Sequence, residues 1–158
     1  MIAYFAYGTT QAGFPHHRER EALLGAPVAR VRTVEPYAIV VPRRAACNNP
    51  GCRYLHRMAA LVPARDQHAE GDLFHVEDLT ELDALELAGP YRRQTIAVVP
   101  VGGGEPVQAQ AYPAVPAEPW LALADADRLQ AYPREDVRLK ACCEADPGHA
   151  GAHDIVEP

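Results

Sequence analysis

Three carboxylates lie close together in one predicted helix, where they could exchange protons with a bound molecule. After Asp78 at its start, the segment DLTELDALELA, residues 78–88, carries Glu81, Asp83 and Glu86. Residues three apart on a helix share a face, so Asp83 and Glu86 are neighbours. A carboxylate held beside a substrate acts as a general base and then as a general acid. The same side chains also suit a solvated helix surface, and their spacing alone leaves both interpretations open.

A second group of candidate residues follows the first predicted strand. The apolar run IAYFAY, residues 2–7, ends at Gly8, and the loop GTTQAG follows. Glycine lets the backbone approach a ligand closely, and backbone N–H groups in a turn bind anionic oxygens. The hydroxyls of Thr9 and Thr10 are either further donors to a ligand or partners within the turn itself.

Cysteine and histidine are clustered in two other segments. The first has the spacing Cys-x4-Cys around an Asn-Asn-Pro-Gly turn, and the second has the spacing Cys-x5-His-x3-His. Such spacing lets thiolate and imidazole ligands converge on tetrahedral zinc. A structural zinc would tie the C-terminal tail to the insertion at 42–56 and supply folding energy; the alternative is four reduced cysteines and a frayed tail. The candidate ligands are Cys47, Cys52, Cys143 and His149, with His153 as the alternative.

The composition argues against several classes of protein. The chain has 158 residues, 48% of them hydrophobic, which suits one ordinary globular domain. A formal net charge of −6 disfavours binding to nucleic acid. No apolar run approaches the roughly 20 residues of a membrane-spanning helix, and the start at Met1 lacks a charged leader, so we expect a cytoplasmic protein. Abundant Ala, Pro and Arg indicate a high-GC bacterial source.

Short strands dominate the predicted secondary structure, and helices are spread among them. Apolar runs bounded by Gly, Pro and Asn predict strands at 2–7, 28–34, 37–41, 58–62, 71–76, 92–101 and 107–111. The last two form a hairpin across the three glycines at 102–104. Helical periodicity and capping residues predict helices at 15–24, 78–88 and 118–131. The pattern predicts an α+β fold, a small mixed β-barrel or curved sheet flanked by two or three helices.

Some details of this arrangement can also be predicted. Residues 1–133 are expected to form the folded domain, and 134–158 a polar tail. Asp78 is a candidate cap for the helix at 78–88. His16 and His17, at the start of the first helix, are expected to lie on the surface.

Two segments together carry a longer pattern. Residues 4–14, YFAYGTTQAGF, give a strand and a YGT turn; residues 71–99 give the strand GDLFHV, a helix with LDALE and a Tyr-Arg strand. In this order the pattern resembles the gamma-glutamylcyclotransferase-like family, which includes gamma-glutamylamine cyclotransferases and AIG2-like proteins. The resemblance covers roughly residues 2–115. It departs at Thr10, where leucine or asparagine-leucine is common, and after Glu86, where Leu87-Ala88 precede the expected glycine.

The resemblance implies a reaction and a role for each matching residue. Such enzymes, formally carbon–nitrogen lyases or acyltransferases, release 5-oxoproline from a gamma-glutamyl amine, amino acid or peptide. The substrate's own α-amine attacks its γ-carbonyl, so no cofactor is required and any zinc would be structural. Asp83 would then be structural, bonded to local backbone. By position in the motifs, Glu86 is the expected general acid/base, and the expected substrate-binding residues are Tyr7, Gly8, Thr9, Thr10 and Tyr91.

Other functions remain open at this point. The same pocket could act on a different amide or ester, or it could bind a small acid without turnover. A zinc-organised interaction protein is a third possibility, in which function follows the cysteines. The first two differ from the third in requiring Glu86 to face a cavity beside Gly8. The expected partner is a small molecule, and the leaving amine and the oligomeric state are not predicted.

Overall fold

Eight strands and four short helices make up the described part of the chain. The structure, a computed structural model, describes residues 1–42, 59–124 and 126–132. The predicted zinc ligands and the whole of the predicted tail lie outside these residues. In chain order the elements are β1 (Ile2–Ala6), α1 (Pro15–Glu19), α2 (Glu21–Leu24), β2 (Ala29–Thr33), β3 (Tyr37–Pro42), β4 (Ala60–Pro63), β5 (Glu70–Val76), α3 (Thr80–Glu86), β6 (Gln94–Pro100), β7 (Val107–Ala111), α4 (Glu118–Leu121) and β8 (Ala126–Leu129).

Five of the strands close into a barrel in the order β1, β5, β2, β6, β7. All neighbours are antiparallel except β1 and β7, whose parallel pairing at Tyr4 and Gln110 closes the barrel. At Gly71 a Cβ atom would overlap the backbone of Ala6. Glycine therefore lets β5 approach the end of β1, from which the YGT turn leaves the barrel.

Strand β1 lies between two hydrophobic clusters. Successive side chains of a strand point to opposite faces, so Phe5 packs in one cluster and Tyr4 and Ala6 pack in the other. Burial on both faces explains why this run is apolar throughout instead of alternating with polar residues. The predicted barrel-like α+β fold is confirmed, with a closed barrel as its centre.

The second sheet contains a strand where a helix was predicted. Its order is β4, β3, β8, and β8 pairs with β3 through Ile39 and Leu129. The helix predicted at 118–131 is wrong beyond Leu121, because α4 ends there and the chain continues into β8. Pairing with a distant strand outweighs the helical propensity of this segment, which is rich in alanine and leucine.

The predicted helices near the site are shorter than the sequence pattern indicates. The helix predicted at 15–24 is divided at Arg20, whose backbone leaves the helical region between α1 and α2. Helix α3 occupies only Thr80–Glu86 of the predicted 78–88. Its N-cap position is Leu79, but Asp78 still accepts a hydrogen bond from the Thr80 N–H at 2.8 Å. The β6–β7 hairpin has the predicted pairing, from Gln94–Ala111 to Val98–Val107.

Candidate active site

A cavity of about 580 Å³ opens where the turn after β1 meets the C-terminal end of α3. The turn contributes one wall and the end of α3 with the residues after it contributes another; aromatic rings and a few other side chains complete the lining. The lining residues are Tyr4, Tyr7, Gly8, Thr9, Thr10, His16, Ala59, Leu85, Glu86, Ala88, Gly89, Tyr91 and Tyr112. All six residues that the motifs predicted as catalytic or substrate-binding therefore line one cavity.

Glu86, the last residue of α3, contributes the carboxylate of this cavity. It is half-buried, and burial raises its pKa from the usual 4.5 to about 7, although the positive charge of Arg20 acts in the opposite direction. Desolvation disfavours the charged form of a carboxyl group, which accounts for this direction. Near neutral pH the group therefore populates both the form that accepts a proton and the form that donates one.

The rotation of α3 about its axis follows from its apolar stripe. Leu79 and Leu82 are buried against the core, and Leu85 is half-buried at the cavity. Residues three or four apart share a face of a helix. With Leu79 and Leu82 facing the core, Glu86 lies on the same side, at the end where the cavity begins.

Asp83 holds this helix to the barrel and does not line the cavity. One carboxylate oxygen accepts a hydrogen bond from Arg93 at 2.7 Å, and the other accepts one from the Tyr112 hydroxyl at 2.8 Å. Its partners are thus side chains next to β6 and β7, not the local backbone that the sequence analysis expected. Because Tyr112 also lines the cavity, the Asp83 contacts join α3 to the opposite wall.

Four tyrosines line the cavity, and each hydroxyl has a hydrogen-bond partner. Tyr7 donates to the Tyr112 carbonyl at 2.7 Å, and Tyr91 donates to the Ala59 carbonyl at 3.3 Å. The Tyr4 hydroxyl bonds the Thr10 hydroxyl at 2.9 Å. Burial raises the pKa of all four phenols, so their hydroxyl groups are protonated and neutral at physiological pH. The rings therefore shape the cavity without adding charge to it.

The two histidines of α1 do not lie on the surface as predicted. His16 lines the cavity, where its Nδ1 bonds the Thr9 hydroxyl at 2.8 Å. His17 is buried, with its Nε2 2.9 Å from the Gly25 carbonyl oxygen and its ring 5.6 Å from that of Phe74. The prediction was wrong because His16 faces the cavity and His17 packs near Phe74 of β5, contacts that their position at the start of a helix does not reveal.

Other lining residues carried weaker signals in the sequence. Tyr112 directly follows the predicted strand at 107–111, and the sequence pattern predicts no role for it. Tyr4 is hidden within an apolar run that reads equally well as core. Within the described ranges, no group of three or more His, Cys, Asp or Glu side chains is placed to bind a metal ion. The predicted ligands Cys47, Cys52, Cys143, His149 and His153 lie outside those ranges.

Comparison with known proteins agrees with this geometry. Residues 4–138 match the family model described as gamma-glutamyl cyclotransferase, AIG2-like. The chain belongs to this family. Most of the domain falls within the match, including the YGT turn and the LDALE helix, so the predicted resemblance is confirmed. No curated protein is significantly similar in sequence to the chain.

Several solved structures share the fold of this chain at low sequence identity. An AIG2-like protein from Mus musculus is 24% identical, with a TM-score of 0.62 over 84% of this chain and 88% of the other. An uncharacterised protein from Pyrococcus horikoshii is 14% identical, with a TM-score of 0.54 over 90% and 97%. A gamma-glutamyl cyclotransferase is 12% identical, with a TM-score of 0.53 over 99% and 89%.

Among the residues that the structure describes, no helix is long and apolar enough to cross a bilayer. The longest described helix, α3, has seven residues.

Proposed function

We propose that this chain is a cyclotransferase that releases 5-oxoproline from a gamma-glutamyl amine, amino acid or peptide. One observation carries the proposal: the Glu86 carboxyl, with its pKa raised to about 7, lines the same cavity as Gly8, Thr9 and Thr10. A proton-transfer group and a turn suited to anionic oxygens thus face one bound molecule. Membership of the gamma-glutamyl cyclotransferase, AIG2-like family supports this reaction class.

Glu86 moves one proton in the proposed reaction. Its carboxylate accepts a proton from the substrate's α-ammonium group, and the freed amine attacks the γ-carbonyl carbon. The new carbon–nitrogen bond closes the five-membered ring as the γ-amide bond breaks. The protonated Glu86 then gives its proton to the departing amine, and the ring nitrogen passes its second proton to that amine, which leaves as an ammonium ion. The Glu86 carboxylate is then ready for another cycle. A pKa near the working pH suits a group that performs both transfers.

The remaining lining residues hold the substrate in a reactive conformation. The α-amine and the γ-carbonyl belong to one flexible chain. When the cavity binds that chain in a folded conformation, its conformational entropy is lost on binding, and that loss no longer adds to the barrier of the chemical step. Backbone N–H groups of the turn stabilise the negative charge that develops on the γ-carbonyl oxygen. The substrate supplies its own nucleophile, so these roles require no cofactor.

The experiment that tests this proposal measures 5-oxoproline release from a panel of gamma-glutamyl amines and dipeptides. Wild type is compared with Glu86→Gln, which preserves size and removes the titratable proton, and with Glu81→Gln, an exposed position on the same helix. We expect release by wild type and by Glu81→Gln, and a decrease in kcat of about 100-fold or more in Glu86→Gln.

Two results would contradict the proposal in different ways. Release that survives Glu86→Gln unchanged would move the acid/base role to another residue, with Asp83 the next to test. No release from any substrate in the panel would refute the proposed reaction class. In that case calorimetric binding of 5-oxoproline or L-glutamate by the inactive wild type would favour a binding protein on the same fold.

A further inference from the structure

A buried polar network lies behind the cavity turn, which we define as residues 7–10. The side chain of Gln11 is fully buried and is not part of the cavity lining. Its Nε2 donates hydrogen bonds to the carbonyl oxygens of Tyr7, at 2.8 Å, and Gly8, at 3.2 Å. Its Oε1 accepts a hydrogen bond from Arg30 Nη1 at 2.6 Å. One side chain thus joins two carbonyls of the turn to strand β2.

A carboxylate of the barrel completes this network. Asp72, on β5, is only 2% exposed, and its Oδ2 accepts a hydrogen bond from the Ala12 N–H at 3.0 Å. Its Oδ1 forms an ion pair with Arg30 Nη1 at 3.3 Å. Arg30 and Asp72 are directly paired across β2 and β5. The three side chains, which we call the Gln11 network, therefore tie the turn to the rigid wall of the barrel.

The network fixes the direction of two backbone N–H groups. In a trans peptide the carbonyl points opposite to the N–H of the next residue, and the cis bond found in the described chain lies elsewhere, at Val115–Pro116. Because the carbonyls of Tyr7 and Gly8 point at Gln11, the N–H groups of Gly8 and Thr9 point away from it. Gly8 and Thr9 line the cavity and Gln11 does not, so we infer that the N–H groups directed away from Gln11 point toward the cavity. Within the described residues, no hydrogen bond uses either N–H.

A purely structural role is the simplest alternative for Gln11. Buried carbonyl groups require hydrogen-bond donors, and a buried glutamine can supply them in any turn whose backbone is buried. Two features go beyond this requirement. Both bonded carbonyls belong to the peptide groups that carry the cavity N–H groups, and the glutamine is itself held by Arg30 at 2.6 Å.

We propose that Gln11, held by Arg30 and Asp72, is a positioning residue for catalysis. It directs the Gly8 and Thr9 N–H groups at the γ-carbonyl oxygen of the substrate, where negative charge develops in the transition state. This inference rests on the proposed function, because it assigns the groups that stabilise that charge. Donors aimed at developing charge accelerate the reaction more than they strengthen binding of the substrate.

The test measures kcat, KM and the pH dependence of 5-oxoproline release for wild type, Gln11→Glu and Gln11→Met. The glutamate keeps the length and the contact with Arg30 but cannot donate to the two carbonyls, whereas methionine removes both interactions. We expect kcat to decrease by about 10- to 100-fold in both variants. KM should change by less than about threefold, and the pH dependence should stay as in wild type because Glu86 is untouched.

Thr33→Val is the matched control. Thr33 is buried, its hydroxyl accepts a hydrogen bond from the Ala69 N–H at 3.1 Å, and it does not line the cavity. The substitution therefore removes a buried hydrogen bond of the barrel that lies away from the turn, and kcat should stay near that of wild type. Wild-type kcat in Gln11→Glu, an equal loss in Thr33→Val, or a rise in KM alone would each overturn the inference.

A second measurement separates this inference from the proposed function. Amide hydrogen exchange of the peptide that contains residues 7–12 reports the turn directly, without substrate. We expect faster exchange there in Gln11→Met than in Thr33→Val. Unchanged exchange would refute positioning by Gln11 whatever the activity. Inactive wild type would instead refute the proposed function, and the catalytic part of this inference would fall with it.

Discussion

Two carboxylates of the molecule have opposite surroundings: Glu86 is half-buried at the cavity, and Asp72 is buried in the barrel wall. Asp72 has an arginine and a backbone N–H as partners. No hydrogen bond or ion pair within the described chain reaches the Glu86 carboxylate, and its pKa is raised to about 7. A paired carboxylate stabilises a fold, while one left without partners costs stability and remains reactive. The difference indicates which of the two is available for chemistry.

The pH dependence of activity is the largest expected effect. Glu86 must be ionised to accept the first proton, so kcat/KM should fall about tenfold for each pH unit below about 7, or about 100-fold at pH 5. Initial rates of 5-oxoproline release between pH 4.5 and 8.5 provide the measurement, with Glu81→Gln expected to follow the wild-type profile. A midpoint near 4.5 would show that the titrating carboxylate is not a desolvated one.

Loss of the Asp72 charge should have the next largest effect. Asp72→Asn removes the buried charge that pairs with Arg30, which keeps its longer contact with Glu70 at 3.8 Å, and we expect the free energy of unfolding to decrease by about 2–3 kcal/mol. For a chain of this size that lowers Tm by roughly 5–10 °C, measurable by calorimetry. Glu105→Gln, at an exposed loop position, is the charge-removal control and should leave Tm unchanged. A Tm unchanged in Asp72→Asn would mean that the pair does not contribute to stability.

Glu86→Gln should change stability in the opposite direction. The folded-state pKa of Glu86 is raised above 4.5, so its contribution is fully present below pH 4.5 and is lost as pH rises through about 7. At pH 8 the variant should therefore be more stable than wild type by on the order of 1 kcal/mol, and at pH 4 the two should be equal. Denaturant unfolding at both pH values measures this. Greater stability of wild type at pH 8 would reveal a partner for the carboxylate.

The features that the sequence predicts well are those specified by neighbouring residues. The strand at 71–76 and the hairpin across the glycines at 102–104 both depend on local apolar patterning and turn residues, and both form as expected. The family resemblance carried by the YGT and LDALE motifs predicts that Glu86 and Gly8 share a site, and both line one cavity. Their convergence on one cavity follows from the closed barrel that joins them.

The features that the sequence does not predict depend on distant contacts. Strand β8 forms because it pairs with the edge of β3, and the local pattern of residues 118–131 does not show that this partner is present. Gln11 reads as an ordinary loop residue, yet contact with Arg30 of β2 makes it a fully buried one. Likewise, whether His16 faces solvent or the cavity depends on how α1 packs and not on its own neighbours in the chain. The local sequence pattern around a residue contains little information about such contacts with distant parts of the chain.

The smallest predicted effect concerns Asp83, which has partners as Asp72 does but lies nearer the surface. Arg93→Gln removes an ion pair whose arginine side chain is 45% exposed, so the free energy of unfolding should decrease by only about 0.5 kcal/mol. The Tyr112 hydroxyl still donates to Asp83, so α3 should keep its position and kcat should stay within about twofold of wild type. Urea unfolding and 5-oxoproline release measure the two quantities. A tenfold lower kcat with unchanged stability would mean that the position of Glu86 depends on the exposed Asp83–Arg93 pair, and the division between structural and reactive carboxylates would then not hold along α3.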